Sequence, residues 1–70
     1  MLELKTVGYR LTGLRGARTQ EEVSSAVGIS KSALAAYESG SRLPRDEIKV
    51  KLAHYYKKSV RYIFFDSSDT

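Results

Sequence analysis

The sequence predicts a single all-α domain, a compact unit of five short helices, and three observations carry that prediction. Apolar residues recur at helical spacing, and strand-like alternation is sustained nowhere. Two helix starts are marked by capping residues, and a glycine stands at the end of each helix so begun. Seventy residues make one domain at most, because a chain this short buries only about 60% of the surface that its unfolded form exposes. The core is expected over about residues 7–65, with 66–70 a polar tail that frays.

The first helix is expected from about Val7 to Arg15. Val7, Leu11 and Leu14 take the i, i+4, i+7 positions of one face, and Gly8, Gly13 and Gly16 each weaken it. Thr19 followed by Glu22 is a capping box, so a second helix begins there and buries Val23, Ala26 and Val27. Gly28 can adopt positive φ just past its last turn. Ser30 is the next N-cap, and Ile29 with Leu34 has the spacing of a hydrophobic staple, so the turn between the two helices is specified at both ends. The third helix buries Ala33, Leu34 and Tyr37, ends at Gly40, and leaves Lys31, Ser32, Ala35 and Ala36 exposed. After the loop Ser41-Arg42-Leu43, Pro44 pre-sets φ for a fourth helix through about Lys57, with Ile48, Leu52, Tyr55 and Tyr56 as its core stripe. Asp46 and Glu47 suit the positive end of its dipole. Ser59 can cap a short fifth helix in which Val60, Ile63 and Phe64 share a face.

Composition narrows the function classes. There is no cysteine, which removes disulfides, thiolate catalysis and the usual structural zinc sites, and fits a reducing compartment. His54 is the lone histidine, with no second ligand of a common metal set. No phosphate-cradling glycine loop occurs, and no serine has an activating base and orienting acid. Neither enzyme activity, cofactor nor metal is therefore expected. No stretch approaches the ~20 apolar residues needed to span a bilayer, so no membrane association and a cytoplasmic location are expected. Twelve Lys and Arg against eight Asp and Glu leave a net charge of +4, which favours polyanionic partners through counterion release.

Two short helices joined by a tight, glycine-containing turn, here residues 19–40, form a helix-turn-helix, in which the second helix enters the DNA major groove. The stretches Thr19-Gln20-Glu21-Glu22-Val23, Val27-Gly28-Ile29-Ser30-Lys31-Ser32-Ala33-Leu34, Tyr37-Glu38-Ser39-Gly40 and Arg42-Leu43-Pro44 resemble the Cro/C1-type (lambda repressor-like, Xre) transcriptional regulators. The resemblance runs from about Leu11 to Phe65. It implies that Gln20 contacts a phosphate and buttresses the recognition helix, with Thr19 at the start of the same helix. It also implies that Ser30, Lys31 and Ser32 reach base edges or flanking phosphates. Lys31 is the best single base-contact candidate, since an ammonium can donate to guanine O6 and N7; the plain alternative is a solvated lysine. Ala35 and Ala36 stand where many relatives carry longer polar side chains, and alanine offers only close approach or contact with a thymine methyl. Arg42, with Ser41 beside it, lies where the family contacts the DNA backbone, and Arg18 precedes the second helix on the same side. Tyr37 is assigned to packing. Glu38 is expected to bond a basic side chain of its own chain, the partner not being identifiable from sequence. The link from Arg15 to Thr19 is shorter than the family's usual junction, which leaves open which of Arg15 and Arg18 faces DNA.

The resemblance thus implies a sequence-selective regulator of repressor type that binds double-stranded DNA as a homodimer. Seventy residues leave no room for a separate sensing domain, so any signal is expected to act through a partner, proteolysis or synthesis level. A different class, a protein-binding adaptor or antitoxin-like module, stays compatible with the sequence and would supply a regulatory protein partner. Val50, Tyr62 and Phe65 can belong to the core, a dimer seam or a partner site, and burial decides among them.

Overall fold

The computed structural model describes residues 2–66. They form four α-helices, α1 (Leu4–Arg15), α2 (Gln20–Val27), α3 (Lys31–Ser39) and α4 (Asp46–Tyr56), and a π-helical turn, α5 (Arg61–Phe65). Among the described residues there is no strand, as the apolar spacing predicts. Of the tail 66–70 expected to fray, Asp66 is half-buried with its N–H bonded to the Arg61 carbonyl at 2.7 Å, and 67–70 lie outside the described residues.

Helix α1 begins three residues before the periodicity places it. Glu3 sits in extended backbone and its carbonyl accepts the first helical bond, from the Val7 N–H at 3.0 Å. Leu4 to Thr6 are exposed or half-buried, so this first turn leaves no mark in the apolar pattern. Gly8, which the sequence suggests only as a weak point, has a packing role: a Cβ there would overlap the Glu38 carbonyl oxygen and lie 2.9 Å from its carbon. Gly40 repeats the approach from the other side, since its Cβ would lie 2.9 Å from the Lys5 Cα. Helices α1 and α3 therefore cross backbone to backbone, which only glycine permits.

The capping box of α2 forms as predicted: the Glu22 N–H donates to Thr19 Oγ1 at 3.0 Å and the Thr19 N–H to Glu22 Oε1 at 3.4 Å. Gly28 at φ 86° ends the helix, and the Ile29 N–H closes back on the Ser24 carbonyl at 2.9 Å. The buried face differs from expectation by one step. Ala26 is exposed and Ser24 is buried, its hydroxyl donating to the Glu21 carbonyl at 3.1 Å within the same helix, so the polar group is satisfied. Ser30 caps α3 by accepting from the Ala33 N–H at 3.0 Å, and Leu34 is fully buried with Ile29 packed beside the core.

Helix α4 starts at Asp46 rather than at Pro44. Pro44 is buried ahead of the helix, and Arg45, in extended backbone, is the N-cap residue. The core stripe is also shifted: Lys49, Leu52, Ala53 and Tyr56 are buried, while Ile48 and Tyr55 lie half-buried at its rim. The Lys49 ammonium stays within 3.4 Å of the Asp46 carboxylate and 5.2 Å of the Phe65 ring centre, so the aliphatic stem packs while the charge keeps company. Lys57 closes α4 in the left-handed conformation at φ 58°, a position usually given to glycine.

The fifth helix is a single wide turn. Asp66 N–H reaches the Arg61 carbonyl five residues back at 2.7 Å, and Ser59 caps the segment as expected, accepting from the Tyr62 N–H at 3.0 Å. Ile63 and Phe64 are fully buried while Val60 is half-buried. The Phe64 carbonyl accepts from the Leu2 N–H at 3.0 Å, and Arg10 donates to the Tyr62 carbonyl while its guanidinium lies 4.9 Å from the Tyr62 ring centre. These contacts tie the start of α1 and α5 to one core, whose fully buried centre is Leu11, Val23, Leu34, Leu52, Ile63 and Phe64.

Tyr56 is the one strained polar group of this core among the described residues: its hydroxyl is buried without a hydrogen-bond partner. Burial, and next the negative charge of Glu38, pushes its pKa up to about 12 from 10.0. The folded protein therefore favours the neutral phenol, and the unfolded chain loses its proton first as pH rises. Stability contributed this way is intact below pH 10 and declines from there to about pH 12. Tyr56→Phe removes the orphan hydroxyl and is expected to stabilise the fold by about 1 kcal/mol and to abolish that part of the alkaline decline, as read by urea denaturation across pH. Gly8→Ala forces α1 off α3 and is expected to cost about 1 to 3 kcal/mol in the same measurement; an unchanged midpoint would rule out the close crossing.

Candidate nucleic-acid interface

The turn Gly28-Ile29-Ser30 joins α2 to α3, and both helix starts beside it are closed by side chains: Thr19 for α2 and Ser30 for α3. Capping leaves the first turn of α3 free to carry exposed side chains, and Lys31 and Ser32 are both exposed there. At about 100° per residue, Lys31, Ser32, Ala35, Ala36 and Ser39 share the face opposite Leu34 and Tyr37. Ala35 and Ala36 are half-buried rather than exposed, because a methyl group does not rise above its neighbours. The face is thus flat in its middle, with a cation at its start and a hydroxyl at its end.

Beside this face lies the polar node that fixes its orientation. Glu38, whose side chain is only 5% exposed, accepts from Arg15 Nε at 2.8 Å through one carboxylate oxygen and from Gln20 Nε2 at 2.9 Å through the other. The hydrogen bond that Arg15 donates to Glu38 raises the guanidinium pKa above its ordinary value. Arg15 also donates through a second nitrogen to the Arg18 carbonyl at 2.7 Å, which sets the short link into α2. The predicted intramolecular partner of Glu38 is therefore Arg15, joined by Gln20. Glu38 lies four residues after Leu34, beside the buried face of α3, where a carboxylate needs donors for both its oxygens.

The remaining candidates occupy the edges. Thr19 and Gln20 stand at the start of α2, Gln20 half-buried with its side-chain nitrogen turned to Glu38. An amide nitrogen carries two hydrogens, so Gln20 keeps a donor beyond that bond. Arg18 donates to the Leu14 carbonyl at 3.4 Å and lays its guanidinium 5.4 Å from the Tyr55 ring centre of α4. At the end of α3, the Ser39 and Ser41 hydroxyls lie 3.0 Å apart and both donate to the Ala36 carbonyl. Arg42 is exposed, its guanidinium 5.5 Å from the ring centre of the buried Tyr37. Tyr9 escaped the sequence reading altogether, although its position off the Val7, Leu11, Leu14 stripe signals its 79% exposure.

Elsewhere, His54 is exposed on α4, and no cluster of three metal-ligating side chains occurs among the described residues. No described helix is long and apolar enough to cross a membrane. Burial separates the three open residues of the C-terminal half: Tyr62 is half-buried under Arg10, whereas Val50 and Phe65 are 58% and 46% exposed.

A family model described as Helix-turn-helix matches residues 15–63. Over 48 residues, 69% of this chain, the sequence is 38% identical to a cryptic phage CTXphi transcriptional repressor, RstR, from Vibrio cholerae. The matched region is 43% of that relative's length, so the chain spans less than half of the curated protein that it resembles. No solved structure matches it at the same stringency. The match begins at Arg15 and takes in the Glu38 node, the capped turn and most of the C-terminal core, and on that basis the chain belongs to the Cro/C1-type helix-turn-helix family.

Proposed function

We propose that this chain is a transcriptional regulator of repressor type that binds operator-like double-stranded DNA with α3 in the major groove. The observation that carries the reading is the exposed face of α3, headed by Lys31 and Ser32 and held at a fixed angle to the start of α2 by the Glu38 bonds. Lys31 donates to a guanine edge, Ser32 and Ser30 supply adaptable hydroxyls, and Ala35 and Ala36 allow the helix to approach thymine methyls closely. Thr19, Gln20, Ser41, Arg42 and Arg18 supply the sequence-independent backbone contacts that set register. The protein works by occupancy, without catalysis or cofactor, and repression follows when the occupied site overlaps a promoter in the cytoplasm. The phage repressor relative supports the repressor sense.

Operators with two-fold symmetry present half-sites roughly 34 Å apart per helical turn, so two copies acting together are the natural reader. The exposed Phe65 of α5 offers apolar surface for such a homodimer. A second reading, a site for a regulatory protein partner, is favoured by one observation: an apolar groove between α2 and α4, lined by Ala26, Val27, Val50 and Tyr55.

Selection from a pool of random duplexes supplies the preferred site. On it, Lys31→Ala is expected to cost about 1 to 3 kcal/mol and to relax preference at one base pair, while Gln20→Ala weakens preferred and random duplexes alike. Equal weakening of both duplexes by Lys31→Ala would remove Lys31 from base readout.

A further inference from the structure

The exposed face of α3 does not stop at the helix edge. Because α1 and α3 touch backbone to backbone at Gly8 and Gly40, the α1 side chains beside that seam stand directly against the recognition helix. Lys5 and Tyr9, one helical turn apart, line a small cleft with Glu38 and Ser39. Ser39 belongs to the same exposed face as Lys31 and Ala35, so the cleft is continuous with the surface proposed to meet DNA.

Two features of this cleft point to an anion. The carboxylate of Glu38 is already neutralised by Arg15 and bonded by Gln20, which leaves the Lys5 ammonium as the uncompensated charge of the lining. Among the described residues neither that ammonium nor the Tyr9 hydroxyl has a hydrogen-bond or ion-pair partner, and Tyr9 holds its ring 79% exposed to water without packing to explain it. A compact ammonium and a phenolic donor at one edge of a groove-reading helix match the oxygens of a sugar-phosphate backbone, and the ring offers its face to the sugar.

We propose that Lys5 and Tyr9 bind a DNA backbone phosphate alongside the recognition helix, extending the interface from α3 onto α1. This rests on the DNA-binding reading above. The contact carries no sequence information; it anchors the C-terminal half of α3, where Ala35 and Ala36 supply no hydrogen bonds.

The test compares wild-type protein with Lys5→Gln and Tyr9→Phe on the selected duplex and on random duplex over a salt series. A set of selected duplexes carrying a neutral methylphosphonate at single positions completes it. Both substitutions lie on exposed side chains, and a melting curve checks that each variant folds. Lys5→Gln is expected to weaken both duplexes by the same factor and to lower the salt slope by about one. Tyr9→Phe is expected to weaken both several-fold. One methylphosphonate position should weaken the wild type but not Lys5→Gln. Wild-type affinity and salt slope retained by both folded variants would overturn the proposal while leaving the DNA-binding reading intact. Failure of the wild type to bind any duplex at low salt would overturn that reading and this proposal with it.

Discussion

The buried carboxylate of Glu38 is the constraint on which the arrangement of the first three helices depends. An isolated carboxylate in an interior is prohibitively costly, so its two oxygens must find donors, and they find Arg15 from the end of α1 and Gln20 from the start of α2. The same residue's carbonyl occupies the space that a Cβ on Gly8 would fill. One residue of α3 therefore fixes the position of α1 through backbone contact and the start of α2 through a hydrogen bond. Apolar burial of Leu11, Val23 and Leu34 holds these helices together, but burial is non-directional and does not by itself set the angle between them. The polar node does.

That angle matters to a protein that reads a groove. On the proposed reading, phosphate contacts from the start of α2 and base contacts from the start of α3 are made together only if the two helices keep one arrangement, and Gln20 at the start of α2 bonds across to Glu38 near the end of α3. The face so presented is sparing in hydrogen-bonding groups, since its middle is Ala35 and Ala36. On the proposed reading, discrimination leans on Lys31, on thymine methyl contact and on the shape and deformability of the duplex.

Much of this was legible in the sequence where local chemistry decides. The capping box at Thr19, the cap at Ser30 and the glycine stops at Gly28 and Gly40 all stand where their residue types place them. What was misplaced was set by tertiary context. Ala26 and Ser24 exchanged places because a short helix with few apolar residues fixes its rotation only through its neighbours. Lys49 entered the core because its stem packs between helices while Asp46 and two phenylalanine rings receive its charge. The role of Gly8 was hidden because close approach is a property of two segments, and the partner lies thirty residues away. In the interface, the family resemblance nominated Gln20 and Lys31, with the donor chemistry of lysine toward guanine beside it, and the need of Glu38 for a basic partner was inferable. That the cation is Arg15 rather than Arg18 was not, because both lie in the same short link and only the fold turns one to α3 and the other onto Tyr55.

The central claim, that the Glu38 node couples the three helices, is tested most directly by a double-mutant cycle of Arg15→Ala and Glu38→Ala, with unfolding free energy measured for all four proteins. The account predicts that the second substitution costs far less once the first is made, with a coupling of about 1 to 3 kcal/mol. Costs that add to within about 0.5 kcal/mol would contradict it, since independent residues cannot be what sets the angle of the recognition helix.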